Sequence, residues 1–201
     1  MLQANALAAE RGGQRLFSDI SFQLDDGHLL HVSGSNGSGK TTLLRMLCGL
    51  TLPAQGEITW RQQSIESNRD AFNEDLLYLG HRHGMHSNLN ALENLTLSCK
   101  QNTNRAMMFA ALDEVGLGEH FEKPLRLLSQ GQQRRVALAR LLLESSKLWI
   151  LDEPLAALDV DAVEWFSQRL SLHLESGGMA IITTHQEASF ISRVNINVVL
   201  S

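Results

Sequence analysis

The chain has 201 residues, enough for one buried core with a small appendage but too few for two large α/β domains. Its 43% apolar content is ordinary for a globular protein, and a formal net charge of -5 lacks the basic excess expected of a nucleic-acid binder. The two cysteines, Cys48 and Cys99, have no disulfide or zinc spacing, residues 1–13 make a poor signal peptide, and no stretch is apolar for a bilayer's width. Membrane association is therefore expected only through a partner.

In chain order, Leu29 to Val32 reads as a strand, followed by Gly34-Ser35-Asn36-Gly37-Ser38-Gly39-Lys40-Thr41 and then a helix from Thr41 to Cys48. Strand, glycine-rich turn and helix are the setting of a phosphate-binding P-loop. Glycines let backbone N–H groups turn inward as an anion nest, and the helix N-terminus adds its positive dipole. Lys40 then reaches the β- and γ-phosphates of a nucleotide, the Thr41 hydroxyl is a magnesium ligand, and Thr42 continues the ATP-binding set. Leu76 to Leu79 predicts a further strand, ending at Gly80-His81. From His86 to Arg140 strand signals fade and helical patterns such as Arg105 to Val115 dominate, broken by Gly116, Gly118 and Pro124. That region reads as a helical insertion.

Ser129 and Gly131 open a helix whose Val136, Ala139 and Leu143 form an apolar stripe. Its N-terminus is either a second anion site or simply a helix capped by Ser129. Leu148 to Leu151 is a continuous apolar run, suited to a strand buried on both faces, and it delivers Asp152 and Glu153 at its C-terminal end. Alone, the two acids read equally as a solvated turn. Beside a P-loop they predict magnesium held by Asp152 and an attacking water polarised by Glu153. A helix from Asp161 to Glu175, a strand Ala180 to Ile182, His185 and a helix near Glu187 to Arg193 complete the pattern. The βα alternation predicts an α/β fold with a parallel core sheet.

Leu128-Ser129-Gln130-Gly131-Gln132-Gln133-Arg134-Arg135 resembles the LSGGQ signature of ABC (ATP-binding cassette) ATPases, Ala156-Ala157-Leu158-Asp159 resembles their D-loop, and His185 their switch histidine. With the P-loop and the acidic pair in the family's order, the likeness covers essentially the whole chain. It implies one ATPase domain over 1–201: about 1–85 and 141–201 as a RecA-like core with an N-terminal antiparallel β portion, and about 86–140 as the helical signature subdomain. It implies ATP hydrolysis with Mg2+, catalytic roles for Lys40, Glu153 and His185, and Asp159 in the D-loop. It also implies an ATP-dependent dimer in which Ser129, Gly131 and Gln132 complete the nucleotide site of the other copy. Two positions depart from the family. His81 stands where the Q-loop glutamine is expected, and Arg11 stands where a tyrosine would stack on adenine.

Leu79-Gly80-His81 with Gly84, Leu92-Glu93-Asn94-Leu95 and the run SQGQQRRVALARL are similar to the ATP-binding subunits of the haem exporter of bacterial cytochrome c maturation. That resemblance implies a peripheral place on the cytoplasmic face of the inner membrane, beside membrane partners of the CcmB, CcmC and CcmD type. The alternatives are an ABC motor for another exported substrate and a soluble ABC protein acting on ribosomes or DNA. The latter usually has twin cassettes or a long coiled-coil insertion, neither of which is present. A catalytically dead binder would not keep Lys40, Asp152, Glu153 and His185. The loop His81-Arg82-His83-Gly84-Met85-His86 suits a coupling contact with the membrane partner; haem or metal ligation and a plain polar loop are its other readings.

Overall fold

The computed structural model describes residues 1–81, 84–99, 103–184 and 193–200. Strands β1 (Leu2–Arg11) and β2 (Gln14–Leu24) form a hairpin whose turn, Gly12-Gly13, has positive φ at both residues. After β3 (Leu29–Gly34) and helix α1 (Lys40–Leu47) come β4 (Gln55–Trp60), the short β5 (Gln63–Ser64), α2 (Arg69–Asp75) and β6 (Leu76–Leu79). The helical stretch contains α3 (Ala91–Ser98), α4 (Arg105–Glu114), a 3-10 turn at Leu125–Leu127, α5 (Gln130–Leu138) and α6 (Arg140–Leu143). The chain then runs through β7 (Leu148–Asp152), α7 (Val160–Glu175), β8 (Met179–Thr183) and β9 (Ile196–Leu200).

These strands make two sheets. An antiparallel sheet has the order β2-β1-β4-β5, and a parallel sheet has the order β6-β7-β8-β3-β9. Every residue of β7 and β8 is buried, as their unbroken apolar runs require of strands covered on both faces. One face packs Leu30, Val32, Ile150 and Ile181 against Leu43, Leu44 and Leu47 of α1 and the antiparallel sheet's Leu2, Leu7 and Leu24. The other face packs Leu29, Trp149, Leu151 and Ile182 against Phe166 and Leu170 of α7. A third cluster, including Leu95, Leu112, Leu125 and Val136, belongs to the helical stretch.

Asn90 and Ser129 start α3 and α5 with reciprocal capping boxes, and Asn104 and Asp159 cap α4 and α7. The helix predicted after Ser129 is stepped: α5 hands over to α6 at Ala139. Ala139 keeps right-handed helical angles, so the expected stripe survives with Val136 and Ala139 fully buried and Leu143 packed against them. Apart from Arg193, the helix predicted near Glu187 to Arg193 lies outside the described residues.

Candidate active site

The ends of three parallel strands, β3, β6 and β7, converge with Arg11 of β1 on one cleft of about 490 Å³, lined among others by Lys40, Thr41, His81, Asp152 and Glu153. The sheet order explains the meeting. β3 and β7 both border β8, so the turn leaving β3 and the acids leaving β7 open on the same edge.

The turn from Gly34 to Gly39 is shaped by two close approaches. Gly34 has φ of +147°, and a Cβ there would strike the Leu200 carbonyl. Gly39, the N-cap of α1 at φ +100°, lies against the Phe17 ring, which a Cβ would meet at 3.0 Å. Because Gly39 has no side chain to cap the helix and no acid stands in its first turn, the N–H groups that open α1 keep their capacity for an anion. Lys40 Nζ donates to the carbonyls of Gly34 at 2.7 Å and Ser35 at 3.0 Å, which holds the ammonium at the mouth of the turn. Asn36 and Gly37 line the cleft, and the Ser38 side chain is buried beneath the turn.

Asp152 is buried, and both of its oxygens accept from hydroxyls: Oδ2 from Thr41 Oγ1 at 2.8 Å and Oδ1 from Thr183 Oγ1 at 2.8 Å. Glu153 follows with φ of +52°, a left-handed backbone that costs a non-glycine residue on the order of 1–3 kcal/mol. Contacts on both sides of the residue hold it there. Its N–H donates to Thr183 Oγ1 at 2.9 Å, and its carbonyl accepts from the Arg134 guanidinium at 2.6 Å and from the Ala156 N–H at 3.1 Å. Arg134 is 2% exposed. Burial lowers its pKa to about 10, while Asp152 and Glu153 pull the other way, so it stays a cation at neutral pH.

Ser129, Gly131 and Gln132 line a different cleft, together with Arg135, Ala157 and Asp159. There Ser129 Oγ accepts from the Gln132 N–H at 3.2 Å and Gln132 Oε1 accepts from the Ser129 N–H at 2.9 Å, so both side chains cap α5. Gly131 is seated against the Ala157 carbonyl, which a Cβ would meet at 2.5 Å. Asp159 caps α7 by accepting from the Ala162 N–H at 3.0 Å and takes two bonds from Arg135, of 2.7 and 2.5 Å. The cap, with the Arg135 cation beside it, lowers the Asp159 carboxyl pKa. His185, Arg82 and His83 lie outside the described residues.

Thr183 and Arg134 are the functional positions that reading the sequence missed. A hydroxyl at the last residue of the strand between the two motif strands is the signal that points to Thr183; nothing local marks Arg134.

The ABC transporter family model matches residues 17–156. The chain is 47% identical over 192 residues to the cytochrome c biogenesis ATP-binding export protein CcmA of Dechloromonas aromatica, covering 94% of each chain. It is 50% identical over 190 residues to the protein of that name from Nitrosomonas europaea and 47% identical over 186 residues to that of Escherichia coli K12. These alignments cover 93% and 92% of this chain and 89% of each relative. Among solved structures, an ATP-binding subunit of an ABC transporter superposes with a TM-score of 0.85 at 23% identity, covering 99% of this chain and 85% of the other. A dimeric ATP-binding cassette, MJ0796, in a post-hydrolysis state bound to ADP and Pi gives 0.83 at 22% identity, covering 100% and 94%. These structural likenesses concern the fold.

Proposed function

The chain belongs to the ABC transporter family, and from that premise we propose that it is the ATP-hydrolysing subunit of an export complex serving cytochrome c biogenesis. The observation that carries the ATPase reading is the Thr41–Asp152 bond, which closes the phosphate-binding turn onto the acidic strand end. Near-full-length identity of 47–50% to the CcmA proteins supports the biogenesis role over export of another substrate.

On this reading the N–H groups that open α1 and the ammonium of Lys40 take the β- and γ-phosphates, Lys40 exchanging its two loop carbonyls for them. Thr41 Oγ1 and Asp152 Oδ2, hard oxygen donors that meet at 2.8 Å, would hold Mg2+, Asp152 directly or through water. Magnesium bound there supplies charge neutralisation between the phosphates. Glu153 polarises the attacking water, and His185, with His81 at the Q-loop position, senses the γ-phosphate. The base rests beside Arg11, whose planar guanidinium replaces an aromatic ring as a stacking surface.

The signature residues line a cleft away from the phosphate turn, which supports their use in trans. Two copies arranged head to tail would then enclose two ATP molecules, each held by Lys40 and Thr41 of one chain and by Ser129, Gly131 and Gln132 of the other, with Asp159 at the junction. The cassette is one domain over 1–201, a core at about 1–85 and 141–201 carrying a helical subdomain at about 86–140. Among the described residues no helix is long and apolar enough to cross a membrane. Attachment to the cytoplasmic face of the inner membrane therefore runs through subunits of the CcmB, CcmC and CcmD type.

The test is Glu153→Gln, which keeps the size and the backbone contacts but removes the group that activates water. We expect ATP binding to persist, turnover to fall by about two orders of magnitude or more, and ATP to trap a dimer. Near wild-type hydrolysis rejects the assignment. In cells lacking the native subunit, the wild-type chain should restore holocytochrome c and the Gln variant should not.

A further inference from the structure

Glu153 sits where its backbone resists being, and one of the groups that hold it there comes from α5. We propose that Arg134 is a positioning residue for hydrolysis: it fixes Glu153 through the Glu153 carbonyl and ties that carboxylate to the signature turn. The inference rests on Glu153 being the water-activating group.

Arg134 lies five residues after Ser129 on the helix that Ser129 and Gln132 cap, so its place follows the signature turn. Its guanidinium reaches the Glu153 carbonyl at 2.6 Å and the Asp152 carbonyl at 3.5 Å. A buried cation is costly, and the backbone carbonyls of Asp152 and Glu153 and the field of the two carboxylates offset part of that cost. Because φ at Glu153 is +52°, losing the 2.6 Å guanidinium bond leaves its carbonyl on the longer bond from the Ala156 N–H at 3.1 Å and loosens the residue toward ordinary strand angles, which swings the side chain off its aim. A Thr183 bond on the N–H side and an Arg134 bond on the carbonyl side thus clamp the same peptide pair from two elements. Two neighbouring contacts run from the same helix to the same loop, Gly131 against the Ala157 carbonyl and Arg135 to Asp159. A shift of α5 when the other copy's nucleotide meets Ser129 therefore reaches Glu153 through a side chain only one contact long. Arg134 touches no reacting atom; it acts by holding the residue that does.

The experiment compares Arg134→Gln and Arg134→Lys in the full chain, each alone and in the Glu153→Gln background, with steady-state ATPase assays, ATP titration and thermal melting. Arg134→Gln is expected to lower kcat at least tenfold while KM for ATP changes less than threefold. Arg134→Lys should recover part of that loss but stay at least threefold below wild type, because one ammonium replaces a planar fork. In the Glu153→Gln background, Arg134→Gln should change the residual turnover less than twofold, since the group being positioned is gone. A kcat within twofold of wild type for Arg134→Gln overturns the proposal, as does a full loss repeated in the Glu153→Gln background. Should Arg134→Gln fail to fold, wild-type turnover in Arg134→Lys overturns it. If Glu153→Gln itself hydrolyses ATP normally, the reading of Glu153 fails and this inference with it; if Glu153→Gln is inactive and Arg134→Gln is not, only the role of Arg134 falls.

Discussion

Thr183 shows how much a single hydroxyl can organise. It donates to Asp152 Oδ1 and accepts from the Glu153 N–H, and it is completely buried. Thr183→Val keeps the shape of the side chain and removes both bonds. The cost is that of leaving a buried acceptor and a buried donor unsatisfied, about 1–3 kcal/mol. We expect that loss in denaturant unfolding, accompanied by a fall in turnover of tenfold or more; unchanged stability and turnover would contradict the role. The acidic pair and the phosphate turn were legible in the sequence because each is a contiguous run whose chemistry depends on its own spacing. Thr183 and Arg134 were not, because their partners are 31 and 19 positions away and meet them only once the order of the sheet and the seat of α5 are known.

At the scale of elements, α5 and α7 carry the next two expectations. Ser129 caps α5, so Ser129→Ala should cost about 1 kcal/mol of stability through the lost cap alone. Ser129→Arg loses the same cap but also fills the cleft that a second chain's nucleotide would enter. It should therefore keep ATP binding and lose hydrolysis, whereas the Ala variant keeps a substantial part of it; normal ATPase activity of the Arg variant argues against a shared pocket. On α7, His173 stacks on Trp149 of β7 with ring centroids 3.7 Å apart and planes at 4°, and its Nε2 meets the Met179 carbonyl at 3.1 Å. Burial lowers its pKa from 6.5 to about 4; the Met179 carbonyl acts in the opposite sense, and the Arg169 and Lys147 cations add to the lowering. A histidine neutral in the fold but protonated in the unfolded chain adds full stability above pH 6.5 and loses it as pH falls toward 4. The slope is at most about 1.4 kcal/mol per pH unit across that window. Unfolding measured from pH 7 to pH 4.5 should show this slope in the wild type and a shallower one in His173→Gln; equal slopes would refute it. Of the elements bounded from the sequence, α1, β6, α4, β7, α7 and β8 lie within a residue or so of their predicted ends, since apolar runs and caps are local signals, whereas β1, β2, β4, β5 and β9 were given no bounds. The step at Ala139 and the irregular register of β1 against β2 answer to packing across the fold, which no local pattern records.

At the scale of the whole molecule, His81 lines the nucleotide cleft, and Gly84 and Met85 line a second cleft beside Gln130 and Gln133 of α5. His86 is tied to α3, its N–H donating to Asn94 Oδ1 at 2.7 Å, while its ring is exposed. Removing the rings of His83 and His86 therefore leaves the tie in place, although His83 itself lies outside the described residues. His83→Ala with His86→Ala should keep the basal ATPase activity of the chain, weaken assembly with the membrane subunits and lower the holocytochrome c yield. Unchanged assembly and yield would remove the coupling role, and stoichiometric haem binding lost in the double variant would favour ligation instead. The parallel core was expected from the βα alternation and the antiparallel portion from the family likeness, but the pairing of β3 with β9 was not, because it joins distant parts of the chain. Leu29 N, for example, donates to Asn195 Oδ1, 166 positions away, and Gly34 at the end of β3 abuts the carbonyl of Leu200. Read in time rather than in space, that pairing sets an order of events. Ribosomes deliver the phosphate-binding turn well before β9, so a nascent chain bears the nucleotide motif before it has the strand that frames it.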